Sequence, residues 1–150
     1  MGRVETEDAI RSINESFERI ATSVRRLIRR AAADLAEDLP PAAWSVFREV
    51  VRTERTQAST IIAVLGMDKS AVSRHLKELR EHGLVDAERD LQDARVVWIL
   101  PTPLAVERAT EITAGQQARL RAELAGWDAE DLERFAVLLD RFAGPSAPRS

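Results

Sequence analysis

Apolar residues recur at helical spacing along most of this chain, and the places where that rhythm breaks mark out its elements. Near the N-terminus, Ile10, Ile13, Phe17, Ile20, Val24, Leu27 and Ala31 step alternately by three and four residues. This a/d-like stripe predicts one helix of about 28 residues, long for so small a chain. A single small core does not require a stripe of that length, so part of it is expected to pack against a partner chain. Pro40-Pro41 closes the segment, and Ala42 to Val51 reads as a short core helix carrying Trp44, Val46, Phe47 and Val50. From Gln57 to Leu65 a shorter helix turns Ile61, Ile62 and Leu65 inward, and Gly66-Met67 makes a turn. Asp68 then suits an N-cap, because its carboxylate can accept from the unpaired N–H groups of the first turn. Val72, Leu76 and Leu79 share the buried face of the helix that follows, and Gly83 is a stop at C′.

After Gly83 the character changes from helical to extended. Leu84-Val85 opens a strand, and Arg95-Val96-Val97-Trp98-Ile99-Leu100 makes a stronger one, rich in β-branched and aromatic residues. The polar stretch from Glu88 to Arg95 joins them as a turn. Thr102 is an N-cap with Pro103 at N1, and a helix runs on to about Ala125 with Val106, Ala109, Ile112, Leu120 and Leu124 apolar. Asp128-Ala129-Glu130-Asp131 starts a last helix, whose stripe is Leu132, Phe135, Leu139 and Phe142. The residues from Gly144 to Ser150 are small and Pro-bearing, and are expected to be disordered. The expected fold is mainly α with a small β-hairpin wing. Residues 1–143 read as one domain, with a lobe at about 42–100 flanked by long helices at 5–34 and 103–143.

Two short helices joined by a tight Gly-bearing turn form a helix-turn-helix, whose second helix can lie in a DNA major groove. At about 100° per residue, Ser70, Ser73, Arg74 and Lys77 fall opposite the buried face, with Lys69 in the first turn. Hydroxyls and Lys suit phosphates, while the Arg fork can bond two acceptors on a guanine edge. A hairpin with Arg89 and Arg95 near its tip would lie beside the duplex, where Arg95 could enter a minor groove. Arg95 could equally pair with Asp93 or Asp90, and Asp93 could orient it towards DNA.

These segments resemble those of MarR-type (multiple antibiotic resistance regulator) winged-helix transcription factors, over nearly the whole chain. The resemblance rests on Leu65-Gly66-Met67-Asp68-Lys69-Ser70-Ala71-Val72-Ser73-Arg74, on Leu79-x-x-x-Gly83-Leu84-Val85, and on Asp90-x-x-Asp93-x-Arg95. It matches the family's hydroxyl-then-Arg pair to Ser73-Arg74 and its wing Asp-x-Arg to Asp93-Ala94-Arg95. Many members carry two consecutive Arg at the wing tip, where Ala94 stands in place of the first. The family's Leu-Thr-x-x-Gly lead into the next helix reads Leu100-Pro101-Thr102-Pro103 here.

The resemblance implies a homodimer interlocked through its terminal helices and bound to a roughly palindromic operator in double-stranded DNA. Half-sites would lie about one helical turn apart. It also implies release of DNA by a small aromatic or lipophilic anion, with Phe17, Arg25, Trp44, Phe47 and Trp98 as pocket candidates. All of these except Arg25 could equally be core. Arg25, Arg26, Arg29 and Arg30 form a cluster that also suits a solvated helix face.

Composition narrows the alternatives. The 150 residues are 45% hydrophobic, enough for one real core, and the absence of Cys excludes disulfides, thiolate metal sites and thiol sensing. No apolar run approaches the roughly 18 residues of a membrane span, and no signal peptide is evident, so a cytoplasmic protein is expected. The net charge of −3 argues against nucleic acid on its own, and Arg52 to Arg95 holds 8 Lys/Arg against 8 Asp/Glu. Whole-chain charge, however, says little about a local footprint. His75 and His82 stand two helical turns apart, too far for one metal, and no phosphate loop, HExxH or nucleophile elbow is present. No enzyme activity, metal or cofactor is expected. The main reading is a DNA-binding regulator, a repressor; the alternative is a winged-helix scaffold dimer that no longer reads DNA.

Overall fold

The computed structural model describes residues 2–144, with side chains from Glu5 onward. The expected tail lies outside that range apart from Gly144. The described elements run α1 (Gly2–Leu35), α2 (Pro41–Thr53), α3 (Ala58–Leu65), α4 (Lys69–Glu81), β1 (Val85–Arg89), β2 (Val97–Pro101), α5 (Pro103–Leu124) and α6 (Ala129–Ala143). They fall into two compact units, parted within α5 between Ile112 and Thr113.

In the first unit α2 is the hub. Val46, Phe47 and Val50 are fully buried, and α2 packs against α1, α3, α4 and β2. Trp44 stacks on Phe47 one turn later, with ring centroids 5.5 Å apart. Around this pair lie Leu35, Ile61, Val72, Leu76, Leu79, Leu84, Val85, Ile99 and Ala105. The charge in this core is compensated locally, because Arg52 donates two hydrogen bonds of 3.0 and 2.6 Å to the buried Glu49 carboxylate. Only the last turns of α1 take part, through Ile28, Ala31, Ala32 and Leu35. Further up the same stripe, Ile10, Ile13 and Ile20 are 53, 52 and 53% exposed. The heptad pattern therefore serves two surfaces, one internal and one outward.

Helix ends set the path of the chain. The N1 proline of α2 needs no intrahelical donor, so Pro41 begins the helix without loss. Glu54 ends it at φ 60°, its amide returning to the Val50 carbonyl. Gly66 takes the left-handed conformation between α3 and α4. At the far end of α4, Gly83 is left-handed at φ 67°, its amide bonds Arg80, and the Leu84 amide bonds Leu79. That pair of bonds is a Schellman stop. Thr102 then fixes α5 to this stop. Its hydroxyl donates to the Gly83 carbonyl at 2.7 Å and accepts from the Ala105 amide at 3.2 Å.

The two strands pair antiparallel, with Val85 opposite Pro101, Glu88 opposite Trp98 and Arg89 opposite Val97. An isolated bridge joins Thr56 to Ile99 through bonds of 3.0 and 2.8 Å, anchoring β2 to the segment between α2 and α3. The second strand begins at Val97, not at Arg95 as the residue pattern suggests. Asp93 accepts from the Arg95 amide through its side chain and from the Val96 amide through its carbonyl, which holds both residues in the turn.

In the second unit Asp128 caps α6 by accepting from the Asp131 amide at 2.8 Å. Trp127 packs at a tilt on Phe135, centroids 5.3 Å apart. Val137, Leu138 and Leu139 are exposed along α6.

Two substitutions probe this architecture in urea unfolding. Phe47→Ala empties the middle of the core and is expected to cost about 3–5 kcal/mol. Gly83→Ala meets no neighbour within 4 Å, so its cost should be only the left-handed backbone term, about 1–2 kcal/mol.

Candidate nucleic-acid interface

The outward face of α4 begins with a cap. Asp68 accepts from the Ala71 amide at 2.9 Å, which starts α4 at Lys69 and sets which residues face outward. Val72, His75, Leu76 and Leu79 are then buried against the lobe. His75 belongs to this inner face, with Nδ1 2.8 Å from Glu78 Oε2. On the outer face Lys69, Ser70, Ser73, Arg74 and Lys77 line one open concavity. All five predicted recognition-helix residues are thus brought together. Lys77 is 3.7 Å from Glu81, an exposed pair of little strength. Lys69 and Arg74 have no ion-pair partner among the described residues, so both guanidinium and ammonium are available to an incoming anion.

The hairpin carries Arg89 at the end of β1 and Arg95 in the turn, both exposed. Neither is ion-paired among the described residues. Asp93 bonds the Arg95 backbone amide rather than its guanidinium, and Asp90 is engaged elsewhere. One Asp90 oxygen accepts from the Gln92 and Asp93 amides at 2.8 and 3.1 Å, shaping the turn. The other accepts from the Trp98 indole N–H at 2.8 Å. Above the same indole lies the Arg55 guanidinium, 4.3 Å from the ring centroid. The indole bond, then the two amide bonds, hold the Asp90 carboxyl below its ordinary pKa, and the Arg55 charge adds to the effect.

The residue pattern does not point to Arg55, and it offers Asp90 as a partner for Arg95 where the structure pairs it with Trp98. Asp90-x-x-Asp93 does signal a side-chain-capped turn, but Arg55 is brought to Trp98 only by the Thr56–Ile99 bridge. The pocket candidates are dispersed. Trp44 and Phe47 stack inside the core, Trp98 lies at the wing, and Phe17 and Arg25 are exposed on α1. Arg25 donates to the Thr22 hydroxyl at 3.1 Å. At the other end of α4, His82 Nε2 is 3.0 Å from Asp38 Oδ1. No group of three His, Asp or Glu among the described residues could hold a metal. No described helix is long and apolar enough to cross a membrane.

A helix-turn-helix followed by an antiparallel hairpin defines a winged helix, and comparison with known proteins places this one. Residues 37–96, most of the winged-helix lobe, match the model of the MarR family. No curated protein matches the chain. Among solved structures, the MarR family transcription regulator SP03579 is similar at a TM-score of 0.77 with 20% identity, covering 95% of each chain. The YusO protein from Bacillus subtilis gives 0.75 with 17% identity, covering 93% of this chain and 98% of its own. A MarR mutant from E. coli gives 0.70 with 17% identity, over 87% of this chain and 96% of its own. At such identities the likeness is one of fold. It extends over the long terminal helices as well as the lobe.

The depressed Asp90 carboxyl gives the wing a pH dependence of defined sign. A lowered folded-state pKa means that the ionised form supports the turn above the ordinary aspartate value near 4, and that this support is lost as pH falls through the lowered value. Backbone NMR relaxation at Gln92 and Asp93 should stay constant from about pH 7 to about pH 5 and show growing disorder only below about pH 4. Asp90→Asn should show that disorder at every pH, and an unaltered turn in this variant would contradict the assignment.

Proposed function

We propose that this chain is a sequence-specific DNA-binding transcriptional regulator, acting as a homodimer and as a repressor. The observation that carries the reading is the division of α4. One face is committed to the core, while the other presents Lys69, Ser70, Ser73, Arg74 and Lys77 in a single concavity, with no ion-pair partner for Arg74 among the described residues. Such a set serves phosphates and a guanine edge and has no use in a scaffold. The similar solved structures include one titled a transcription regulator of the same family, which supports the reading.

Dimerisation is supported by the exposed Ile10, Ile13, Ile20 and Val24 on α1. A monomer could read only a half-site, and a two-fold pair would present two α4 helices to successive major grooves. Release by a small aromatic or lipophilic anion belongs to the same reading, with Arg25 and Phe17 on α1 as its first contacts. Trp44 and Phe47 would support such a site from the core rather than line it.

A gel-shift with the DNA upstream of the chain's own coding sequence tests the proposal, and salt-sensitive binding is expected. Arg74→Ala should cost about 1–3 kcal/mol and relax base choice, whereas Lys77→Ala should weaken all sequences alike and lower the salt slope by about one. Absence of salt-sensitive binding, or an unchanged shift with Arg74→Ala, would leave the scaffold reading in its place.

A further inference from the structure

A two-stranded hairpin is marginal by itself, so the direction of a wing must be set by contacts outside its own ladder. At the base those contacts are clear: Leu84, Val85 and Ile99 are buried, and the Thr56–Ile99 bridge ties β2 to the lobe. Further out, β1 is exposed from Asp86 to Arg89 and has no core to rest on. There the half-buried Trp98 is held from two sides. Its N–H donates to Asp90, the residue whose other oxygen shapes the turn bearing Asp93 and Arg95. Its ring face lies under Arg55, which adjoins the bridge residue Thr56 just before α3.

The two contacts reinforce each other. An N–H bonded to an anion pushes electron density into the indole ring, which strengthens the attraction of its face for a cation. Asp90, the indole and Arg55 thus form one mutually polarised series, linking the wing turn with the segment that opens the helix-turn-helix.

We infer that Trp98 is a positioning residue for the wing, coupling the turn that carries Arg95 to Arg55 so that wing and α4 meet a duplex as one unit. The inference rests on the DNA-binding reading above and goes beyond it. It assigns a role to three residues, Arg55, Asp90 and Trp98, that face each other rather than a base edge. Trp98→Phe keeps a ring under Arg55 and removes the bond to Asp90, while Trp98→Leu removes both contacts.

The test has one arm without DNA and one with it. In the free protein, backbone NMR relaxation at Ala94 and Arg95 should show increased disorder in Trp98→Phe and more in Trp98→Leu, with α4 unchanged. With operator DNA, Trp98→Phe should bind about 3- to 10-fold more weakly and Trp98→Leu more weakly still, each with a smaller salt slope. Arg95→Ala should weaken the wild-type chain but change affinity less than about twofold in the Trp98→Leu background, because the wing is then already displaced. Arg55→Gln, which leaves the hairpin's own bonds intact, should shift affinity and salt slope in the same direction. A wing equally ordered in all variants overturns the inference, as do independent, multiplying effects of Trp98→Leu and Arg95→Ala. If the relaxation changes occur but the wild-type chain binds no DNA, the failure lies in the DNA-binding reading, and the positioning role for DNA falls with it.

Discussion

The inner face of α4 is the constraint on which the rest of this molecule depends. Val72, His75, Leu76 and Leu79 are buried against α2, α3 and the start of β1, and burial of such side chains is the largest favourable term available to a lobe of this size. A helix fixed along one face by packing has no freedom to roll. Its other face is therefore determined in detail. The Asp68 cap and the Gly83 stop then fix its two ends, so that five polar and basic residues occupy one concavity. The same Gly83 stop turns the chain directly into β1, and the Thr102 hydroxyl bonds its carbonyl to start α5. The outward face of α4, the hairpin and α5 are consequences of one packed surface and its terminus.

This arrangement also bears on how an acidic chain carries a basic outer face on α4. In and around the lobe five carboxylates have structural tasks. Asp68 caps α4, Glu49 holds Arg52, Asp90 holds Trp98 and the turn, Asp93 holds the Arg95 amide, and Glu78 lies against His75. Each is bound to a backbone donor or a specific side chain, which localises its charge. Lys69, Arg74, Arg89 and Arg95 have no ion-pair partner among the described residues. The net charge of −3 is an average over the chain and does not describe the outward face of α4, which carries Lys69, Arg74 and Lys77.

Aromatic residues divide by the same logic. Trp44 and Phe47 are one turn apart on a helix buried along that side, so they stack and fill the core. Trp98 alternates outward on β2, one residue from the buried Ile99, and its polar N–H finds an anion rather than a core. Long α1 shows a comparable division along its length, its last turns inside the lobe and its earlier stripe exposed.

Local pattern was enough to determine the order of helices and strands, the places of Val72, Leu76 and Leu79 on the buried face of α4, and the caps at Asp68 and Thr102. Each of these is a local property, set by side-chain spacing and by hydrogen bonds within a few residues. The outward set Ser70, Ser73, Arg74 and Lys77 followed from the same spacing. What only the tertiary structure decided were the relations between distant segments. The bridge of Thr56 to Ile99 brings Arg55 over Trp98 across a long loop of chain, and no periodicity encodes that pairing. Asp93 and Asp90 look from their spacing like partners for the Arg95 guanidinium. In the fold they take backbone amides and an indole instead, because the tight turn presents those donors first. The start of β2 at Val97 has the same cause: strand-forming residues at Arg95 and Val96 yield to a turn whose hydrogen bonds are already made.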